Sequence, residues 1–286
     1  MTKIFFWLKS SIILDSRLLR LHNWSLAKRL EFIYKKYLWL ILMKVVGFRL
    51  GRSATIFAGR QIHFGDPLGL VDYQSMLVRL GKLIKESDIT KLNTVVDVGA
   101  NAGFFTLMIN NFYPAAEVYA LEPIKEVFGV LEKNIVGLKK VKAFNIAASD
   151  RNGFAPMFYD SSLSLASRFA DSKPYGQTQK KITVKTTTMD SFCKLNHIRR
   201  VDLLKIDVET YEHKVLAGAN ATLAKTNYLL IEISVEGNTN YTFSELVGKL
   251  CSDKFNFQLV AFRNYLNSGE GKLPIGDFLF KNLNVS

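Results

Sequence analysis

A glycine-containing turn after an apolar strand is the feature that most restricts the fold of this sequence. Residues 94–98 form a short apolar run that includes Asp97, and Gly99 and Gly103 follow before a helical segment begins. Glu122 comes 25 residues after Asp97, at the end of a second apolar run. A strand, a glycine turn, a helix and then an acid after the next strand are typical of an α/β fold that binds a nucleoside-containing ligand.

The spacing of the turn distinguishes between adenosine cofactors. A dinucleotide-binding turn has the spacing G-x-G-x-x-G, whose second glycine lets the backbone approach a pyrophosphate. Asn101 occupies that position here, so its side chain stands where a pyrophosphate needs clearance. The turn therefore indicates S-adenosylmethionine rather than NAD, with the methionine carboxylate facing the loop amides and the helix N-terminus.

Each part of this cofactor has its own expected contacts. Asp97 is expected to hold the methionine ammonium, directly or through water, and Glu122 to accept hydrogen bonds from both ribose hydroxyls. Adenine is placed at the end of the third strand, where Asp150 can accept from its exocyclic amine. The predicted cofactor-binding residues are Asp97, Gly99, Ala100, Asn101, Gly103, Phe104, Glu122, Pro123, Ala148, Ser149 and Asp207. The alternative is an ordinary βα turn whose glycines only relieve crowding.

Further segments carry a family resemblance. They are Asn145–Asp150 with Gly153, Thr187–Phe192, Val201–Glu209, Val215–Ala219, Tyr228–Ser234 and Asp277–Phe280. Together with the turn they resemble the FkbM family of class I S-adenosylmethionine-dependent methyltransferases, over roughly residues 90 to 282. The family usually has glycine after the Lys-Ile-Asp-Val-Glu run, where this chain has Thr210. A β-branched residue resists a positive φ, so the backbone can differ from the family's at this point.

Apolar runs alternate with helical patterns through most of the chain. Strands are predicted at 94–98, 117–121, 142–147, 202–207, 228–234, 257–262 and 277–282, with helices between several of them, including one near 211–224. This alternation implies a parallel sheet covered on both faces. With the resemblance, it predicts a Rossmann-like class I methyltransferase fold whose seven-stranded sheet is mostly parallel, within a domain at residues 61–286.

A polar stretch interrupts this alternation. Residues 154–186 contain many serines as well as Pro174 and Gly176, and they fall between the third and fourth strands. We interpret them as a lid-like insertion above the cofactor edge. An ordinary surface hairpin is the alternative, since long irregular loops are only sometimes functional.

The first 60 residues differ from the rest of the chain in charge. They hold 12 Lys and Arg against Asp15 and Glu31, whereas the remaining residues hold 26 basic and 23 acidic side chains. We predict a basic amphipathic helical segment at residues 1–60. The apolar face of residues 1–50 either docks on the catalytic domain or a second subunit, or lies on an anionic membrane surface. The sequence does not determine the oligomeric state.

Cysteine content and the N-terminal sequence indicate the cellular compartment in which the protein works. Cys193 and Cys251 are too few for a disulfide framework or a zinc site. The apolar start of the chain is not followed by a signal-peptide cleavage pattern. We therefore expect a cytoplasmic protein, with peripheral contact at the inner face of a membrane if the N-terminal segment binds lipid.

Methyl transfer to an alcohol requires in-line alignment and removal of the hydroxyl proton. Asp207 and Glu209 follow the fourth predicted strand, and in an extended chain both would point to one face. One is expected to orient the cofactor or the acceptor, and the other to act as general base, with His213 as a second candidate base. The alternatives are a helix N-terminal acid for Glu209 and a solvated helix residue for His213.

A metal is not expected to take part. Asp207, Glu209 and Glu232 could in principle surround Mg²⁺, which prefers carboxylate oxygens. However, the histidines at 22, 63, 197 and 213 show no spacing typical of ligands.

The sequence as a whole predicts an S-adenosylmethionine-dependent methyltransferase. The resemblance implies O-methylation of a hydroxyl on a sugar, a glycan or a related small molecule. A nucleic-acid methyltransferase is disfavoured, because residues 61–286 are nearly neutral and no N/D-P-P-Y/F run follows the fourth strand. A non-catalytic methyltransferase-like module for membrane attachment or assembly is the other alternative, and the intact turn argues against it.

Overall fold

The computed structural model describes residues 12, 15–20, 25–45, 54–57, 60–64, 69–87, 89–160, 167–169, 179–234, 241–264 and 275–285. The helices in these ranges are α1 (Leu26–Val45), α2 (Gly69–Glu86), α3 (Phe104–Phe112), α4 (Lys125–Ile135), α5 (Met189–Leu195), α6 (Glu212–Ala217), α7 (Asn220–Leu223) and α8 (Phe243–Leu250). The strands are β1 (Ala54–Phe57), β2 (Arg60–His63), β3 (Thr94–Val98), β4 (Glu117–Leu121), β5 (Val141–Phe144), β6 (Ala147–Ala148), β7 (Gly153–Asp160), β8 (Ser167–Phe169), β9 (Gln179–Thr187), β10 (Val201–Ile206), β11 (Thr226–Ser234), β12 (Phe257–Asn264) and β13 (Ile275–Asn282).

Seven strands form the central sheet, in the order β12-β13-β11-β10-β3-β4-β5. Neighbouring strands from β11 to β5 are parallel, whereas β13 is antiparallel to both β11 and β12. Parallel neighbours require crossover connections, and the helical patterns between the strands supply them. The predicted Rossmann-like class I methyltransferase fold, with a mostly parallel seven-stranded sheet, is confirmed.

Alternate residues of the central strands pack into two separate cores. Val95 and Leu203 belong to one core, and Val96 and Leu204 belong to the other. The first core also holds residues of α2 and α3, and the second holds residues of α5, α6 and α8. Because successive side chains of a strand point to opposite faces, helices cover the sheet on both sides. This burial fixes the register, and with it the side chains at the strand ends.

The N-terminal segment contributes helix α1, which packs against α2. The ring of Phe32 lies 6.0 Å from that of Tyr73. Lys36 is fully buried and donates to Asp15, which also accepts from Gln74 Nε2 at 2.7 Å. One side of α1 is therefore docked on the rest of the protein. Within the described ranges, no helix combines the length and the apolar character needed to cross a membrane.

The predicted insertion at residues 154–186 is largely a β-sheet. β7 pairs with β9 antiparallel over eight residue pairs, and β8 and β6 complete a four-stranded sheet. Met157, Tyr159 and Val184 belong to a small core that they share with Val127 and Tyr211 of the methyltransferase domain. In its described part this segment forms a hairpin, as in the alternative interpretation, because alternating apolar residues outweigh the polar composition. Its role as a lid stays a prediction. Most of the serines that suggested a lid lie outside the described residues.

Two predicted elements are interrupted. The third strand is divided into β5 and β6, and the helix near 211–224 is divided into α6 and α7. The second break occurs at Gly218, where a Cβ would lie 2.1 Å from the carbonyl oxygen of Ser149. This close approach joins the helix to the strand end at which adenine is predicted.

Candidate functional site

Two glycines with positive φ shape the turn after β3. Gly99 has a φ of 77°, and a Cβ on it would lie 1.8 Å from the backbone oxygen of Asp207. Gly103 has a φ of 84°, precedes α3, and would place a Cβ 2.5 Å from Leu131 Cδ1. The absence of a side chain at Gly99 brings the turn into contact with the loop after β10. The predicted cofactor turn and the predicted catalytic carboxylates are therefore neighbours.

The backbone amides of this turn are already hydrogen-bonded within the protein. The pairs are Gly99 and Ala100 to the Leu121 carbonyl (3.0 and 2.9 Å), Gly103 to the Ala100 carbonyl (2.8 Å) and Ala102 to Asn101 Oδ1 (2.7 Å). These internal bonds occupy the amides of the turn itself, and the predicted contact of the methionine carboxylate with the loop stays a prediction. The first-turn amides of α3 are the remaining candidates, since a helix leaves them without intrahelical acceptors.

Glu122 joins the turn to the start of α4. Its Oε2 accepts from the Asn101 amide at 2.9 Å, and its Oε1 accepts from the Ile124 amide at 2.9 Å. Burial raises the pKa of Glu122 to about 7, although both amides favour the ionised form. Each carboxylate oxygen retains a second lone pair, so Glu122 still fits the predicted contact with a ribose. Pro123, beside it, is partly exposed.

A buried lysine, Lys205, lies between two predicted site residues. The register of β10 and β3 pairs Lys205 with Asp97. Its Nζ atom is 3.4 Å from Asp97 Oδ1 and 3.0 Å from Asp207 Oδ2. Burial alone would lower the pKa of Lys205, but the carboxylates of Asp207 and Asp97 raise it, so the ammonium stays charged.

Asp97 is the buried partner of this lysine, and its contact with the methionine ammonium, directly or through water, stays a prediction. It is 0% exposed, and its Oδ2 accepts from Thr106 Oγ1 at 2.7 Å. Asp97 forms the buried ion pair with Lys205 below the turn. Asp207 forms the second ion pair with Lys205 and is the more accessible carboxylate, since its side chain is 28% exposed.

Three carboxylates converge at the carboxyl end of the sheet. Asp207, Glu209 and Glu232 each offer an oxygen within 4.8 Å of the other two. The convergence was predicted, but the extended chain assumed for it was wrong, because Glu209 and Thr210 have φ values of 54° and 75°. The backbone turns here in the left-handed conformation, even with a β-branched residue at 210. Such oxygens are also the donors that Mg²⁺ prefers.

Within this cluster, Glu232 has a carboxyl group with a strongly raised pKa. It lies near the carboxyl end of β11, opposite Asp277 in the β11–β13 register. Burial, then the nearby charges of Asp207 and Glu209, raise the pKa of Glu232 well above its usual range. It therefore holds a proton more tightly than an ordinary carboxyl group does.

A second buried acid, Glu212, holds the loop that carries these groups. Its Oε1 accepts from the amides of Val208 and Thr210 at 3.3 and 3.1 Å. Its Oε2 accepts from the hydroxyl of Tyr241 at 2.7 Å. The ring of His213 lies 5.8 Å from that of Tyr211 and 5.3 Å from that of Tyr241. His213 is thus half-buried among aromatic rings rather than a solvated helix residue.

Glu212 is expected to make stability depend on pH. Burial raises the pKa of Glu212 to about 7 from 4.5, so the folded chain holds this proton more tightly than the unfolded chain. This contribution to stability is full below about pH 4.5 and is lost as pH rises through about 7. Between about pH 5 and 8, the free energy of unfolding should fall by about 2 kcal/mol more in the wild type than in Glu212→Gln.

Urea unfolding of both proteins at several pH values measures this difference. Glutamine can keep both amide bonds through its oxygen, and it cannot ionise. Parallel stability curves for the two proteins would contradict the assignment. Glu122 titrates in both proteins, so its contribution cancels in the comparison.

The strand end predicted to bind adenine is more closed than expected. Ala148 and Ser149 are each 2% exposed, so they offer almost no surface to a ring. Asp150 is the more accessible residue, and its carboxylate pairs with Lys214 Nζ at 2.9 Å. Phe104, on the opposite side of the turn, is partly exposed and lies 5.2 Å from the ring of Tyr73.

The predicted site residues did not include four residues whose contacts hold the candidate site together: Lys205, Glu212, Tyr241 and Asn134. Asn134 is fully buried and ties the turn to β2, since its Nδ2 donates to the carbonyls of Ala102 and His63 at 2.7 and 2.9 Å. For Lys205 a signal existed, because a lysine inside an apolar strand two residues before Asp207 must face the same side as that carboxylate.

The family profile described as Methyltransferase FkbM domain matches residues 97–259. The chain belongs to the FkbM methyltransferase family. The profile begins at Asp97 and covers the turn, Glu122 and the carboxylate cluster. The predicted family is confirmed, and S-adenosylmethionine is confirmed as its cofactor.

Similar proteins include other methyltransferases. The 2-O-methyltransferase NoeI of Sinorhizobium fredii is 26% identical over 49% of this chain and 63% of its own length. The hexuronic acid methyltransferase AglP of Haloferax volcanii is 25% identical over 54% of this chain and 65% of its own length. The matches thus span less than two thirds of either FkbM-like relative. The solved structure of M. jannaschii TYW2 in complex with AdoMet has 14% identity and a TM-score of 0.44, over 82% of this chain and 89% of that one.

Proposed function

We propose that this protein transfers the methyl group of S-adenosylmethionine to a hydroxyl of a sugar, a glycan or a related small molecule. The observation that carries the proposal is the cluster of Asp207, Glu209 and Glu232 directly beside the Gly99 turn. An alcohol needs a base at the position of attack, and this cluster provides one. The name of the 2-O-methyltransferase NoeI supports transfer to a hydroxyl, and that of the hexuronic acid methyltransferase AglP supports the substrate class.

The residues have separate parts in the proposed reaction. When bound, S-adenosylmethionine supplies a methyl group on a sulfonium centre, and its transfer to the acceptor oxygen leaves S-adenosylhomocysteine. Asp207, held by Lys205, would orient the reacting groups at the mouth of the turn. The cluster accepts the hydroxyl proton through Glu209, and Glu232 shares that proton, because interacting carboxyl groups titrate as a unit.

Replacement of Glu209 by glutamine is expected to lower kcat about a hundredfold or more, because it removes a general base. Binding of S-adenosylhomocysteine, measured by calorimetry, should remain. Transfer of a labelled methyl group to monosaccharide glycosides and hexuronic acids measures the rate. Glu117→Gln is the control and should leave the rate unchanged, because Glu117 begins β4 and so lies at the amino ends of the parallel strands, away from the candidate site.

Other outcomes would contradict the proposal. Transfer to RNA but not to any sugar would identify a nucleic-acid methyltransferase. Cofactor binding without any transfer would favour the non-catalytic module.

We also propose that no metal takes part, so transfer should persist in EDTA. Loss of transfer in EDTA, with recovery on adding Mg²⁺, would show that the three carboxylates bind a cation.

A further inference from the structure

Helix α1 exposes a continuous apolar stripe on the side opposite its docked face. The stripe consists of Leu26, Leu30, Tyr34 and Leu38, which are 57%, 51%, 65% and 41% exposed. Residues four apart lie on one face of a helix, so the four side chains form one surface. A row of large exposed apolar residues is unusual for a monomer surface and indicates a binding site.

The orientation of α1 is fixed, so the stripe cannot turn inwards. On the docked side, Phe32 and Lys36 are fully buried. Asp15 receives hydrogen bonds from Lys36, from the Tyr37 hydroxyl at 2.6 Å and from Gln74. Rotation of the helix would leave a buried ammonium without its partner, which is costly. The α1 stripe therefore faces outwards as a consequence of the fold.

We propose that the α1 stripe binds the surface of an anionic lipid bilayer, with the helix lying in the plane of the interface. Charge favours this occupant over a second protein chain, since residues 1–60 carry 12 basic and two acidic side chains. Lys28 of α1 is exposed, and so are Arg17 and Arg20 in the segment before it. Apolar insertion combined with basic residues at anionic head groups is the usual mode of such helices.

The inferred surface is connected to the candidate site through packed rings. Phe32 of α1 contacts Tyr73, and Tyr73 lies 5.2 Å from Phe104, the first residue of α3 after the turn. Because Phe32 lies on the docked side of α1, the turn lies on the side of the helix that faces away from the bilayer, in a position fixed by this packing.

Vesicle sedimentation of the full chain tests the proposal independently of catalysis. We expect binding to vesicles of phosphatidylcholine with phosphatidylserine, weak binding to phosphatidylcholine alone, and loss of binding in high salt. The double variant Leu30→Ser, Tyr34→Ser should lower the partition coefficient about tenfold or more, because it removes two inserting side chains. Retained binding of S-adenosylhomocysteine shows that the variant is folded.

A matched control distinguishes the effect of the α1 stripe from the effect of exposed apolar residues elsewhere on the protein. Val136 and Leu195 are 71% and 76% exposed, outside α1. The variant Val136→Ser, Leu195→Ser should bind vesicles like the wild type. Equal binding by the stripe variant and the wild type, or equal binding to neutral and anionic vesicles, would overturn the proposal. A dimer in analytical ultracentrifugation that dissociates in the stripe variant would also overturn it, since the occupant would then be a second copy.

Discussion

Replacement of Gly99 by alanine is expected to abolish binding of S-adenosylhomocysteine and to lower stability by about 3 kcal/mol or more. At a φ of 77° any L-residue is strained, and the added Cβ would lie 1.8 Å from the carbonyl oxygen of Asp207. That atom belongs to the backbone, so it cannot move aside by changing a rotamer. The turn and the loop after β10 must separate, and this displaces the candidate site. Calorimetric titration and urea unfolding measure the two effects.

The chain offers a control with the same conformation and no crowding. Gly137 has a φ of 78°, and a Cβ there would meet no atom within 4 Å. Gly137→Ala should therefore cost only about 1 kcal/mol for the left-handed conformation and leave ligand binding unchanged. Similar losses of stability in the two variants would mean that the left-handed backbone conformation explains the whole cost at position 99. The close approach to the Asp207 carbonyl would then contribute nothing.

Replacement of Lys205 by methionine is expected to destabilise the protein by about 3 to 5 kcal/mol, the usual cost of removing one partner of a buried ion pair. Lys205 is 5% exposed, and it is the cation that the structure places against the fully buried Asp97. Methionine has a similar length and shape, so the main change is the loss of charge. Urea unfolding near neutral pH measures the cost.

A double-mutant cycle distinguishes the loss of the ion pair between Lys205 and Asp97 from a loss of packing. Asp97→Asn combined with Lys205→Met removes both charges, so the double variant should be less destabilised than the sum of the single variants. Strict additivity would contradict the pairing. Lys142→Met, on the exposed side of β5, should change stability by less than about 0.5 kcal/mol.

The sheet could be predicted from sequence because its signals are local. β3 and β4 were predicted at their observed bounds, since short apolar runs with turn residues on both sides identify buried strands. The convergence of Asp207 and Glu209 was predicted from the position of strand ends. The conformation of residues 209 and 210 was not, because it depends on Glu212 and on a tyrosine that follows the next strand.

The remaining site features depend on contacts between distant residues. The burial of Asp97 and its pairing with Lys205 arise from the register of β3 and β10, which brings together two residues that lie 205 − 97 = 108 positions apart in the sequence. The hydrogen bond of Tyr241 to Glu212 likewise joins residues 29 positions apart. No pattern in a single segment encodes such pairs, so the ion pair between Asp97 and Lys205 could not be predicted from the sequence.

The left-handed backbone at Thr210 has a consequence for the kinetics of any reaction at the carboxylate cluster. A β-branched residue at a φ of 75° costs energy, and Glu212 maintains it through bonds to two backbone amides. This cost is incurred once, when the chain folds, and does not recur in each turnover. The carboxylates are therefore preorganised, and little reorganisation energy should add to the barrier when an acceptor binds.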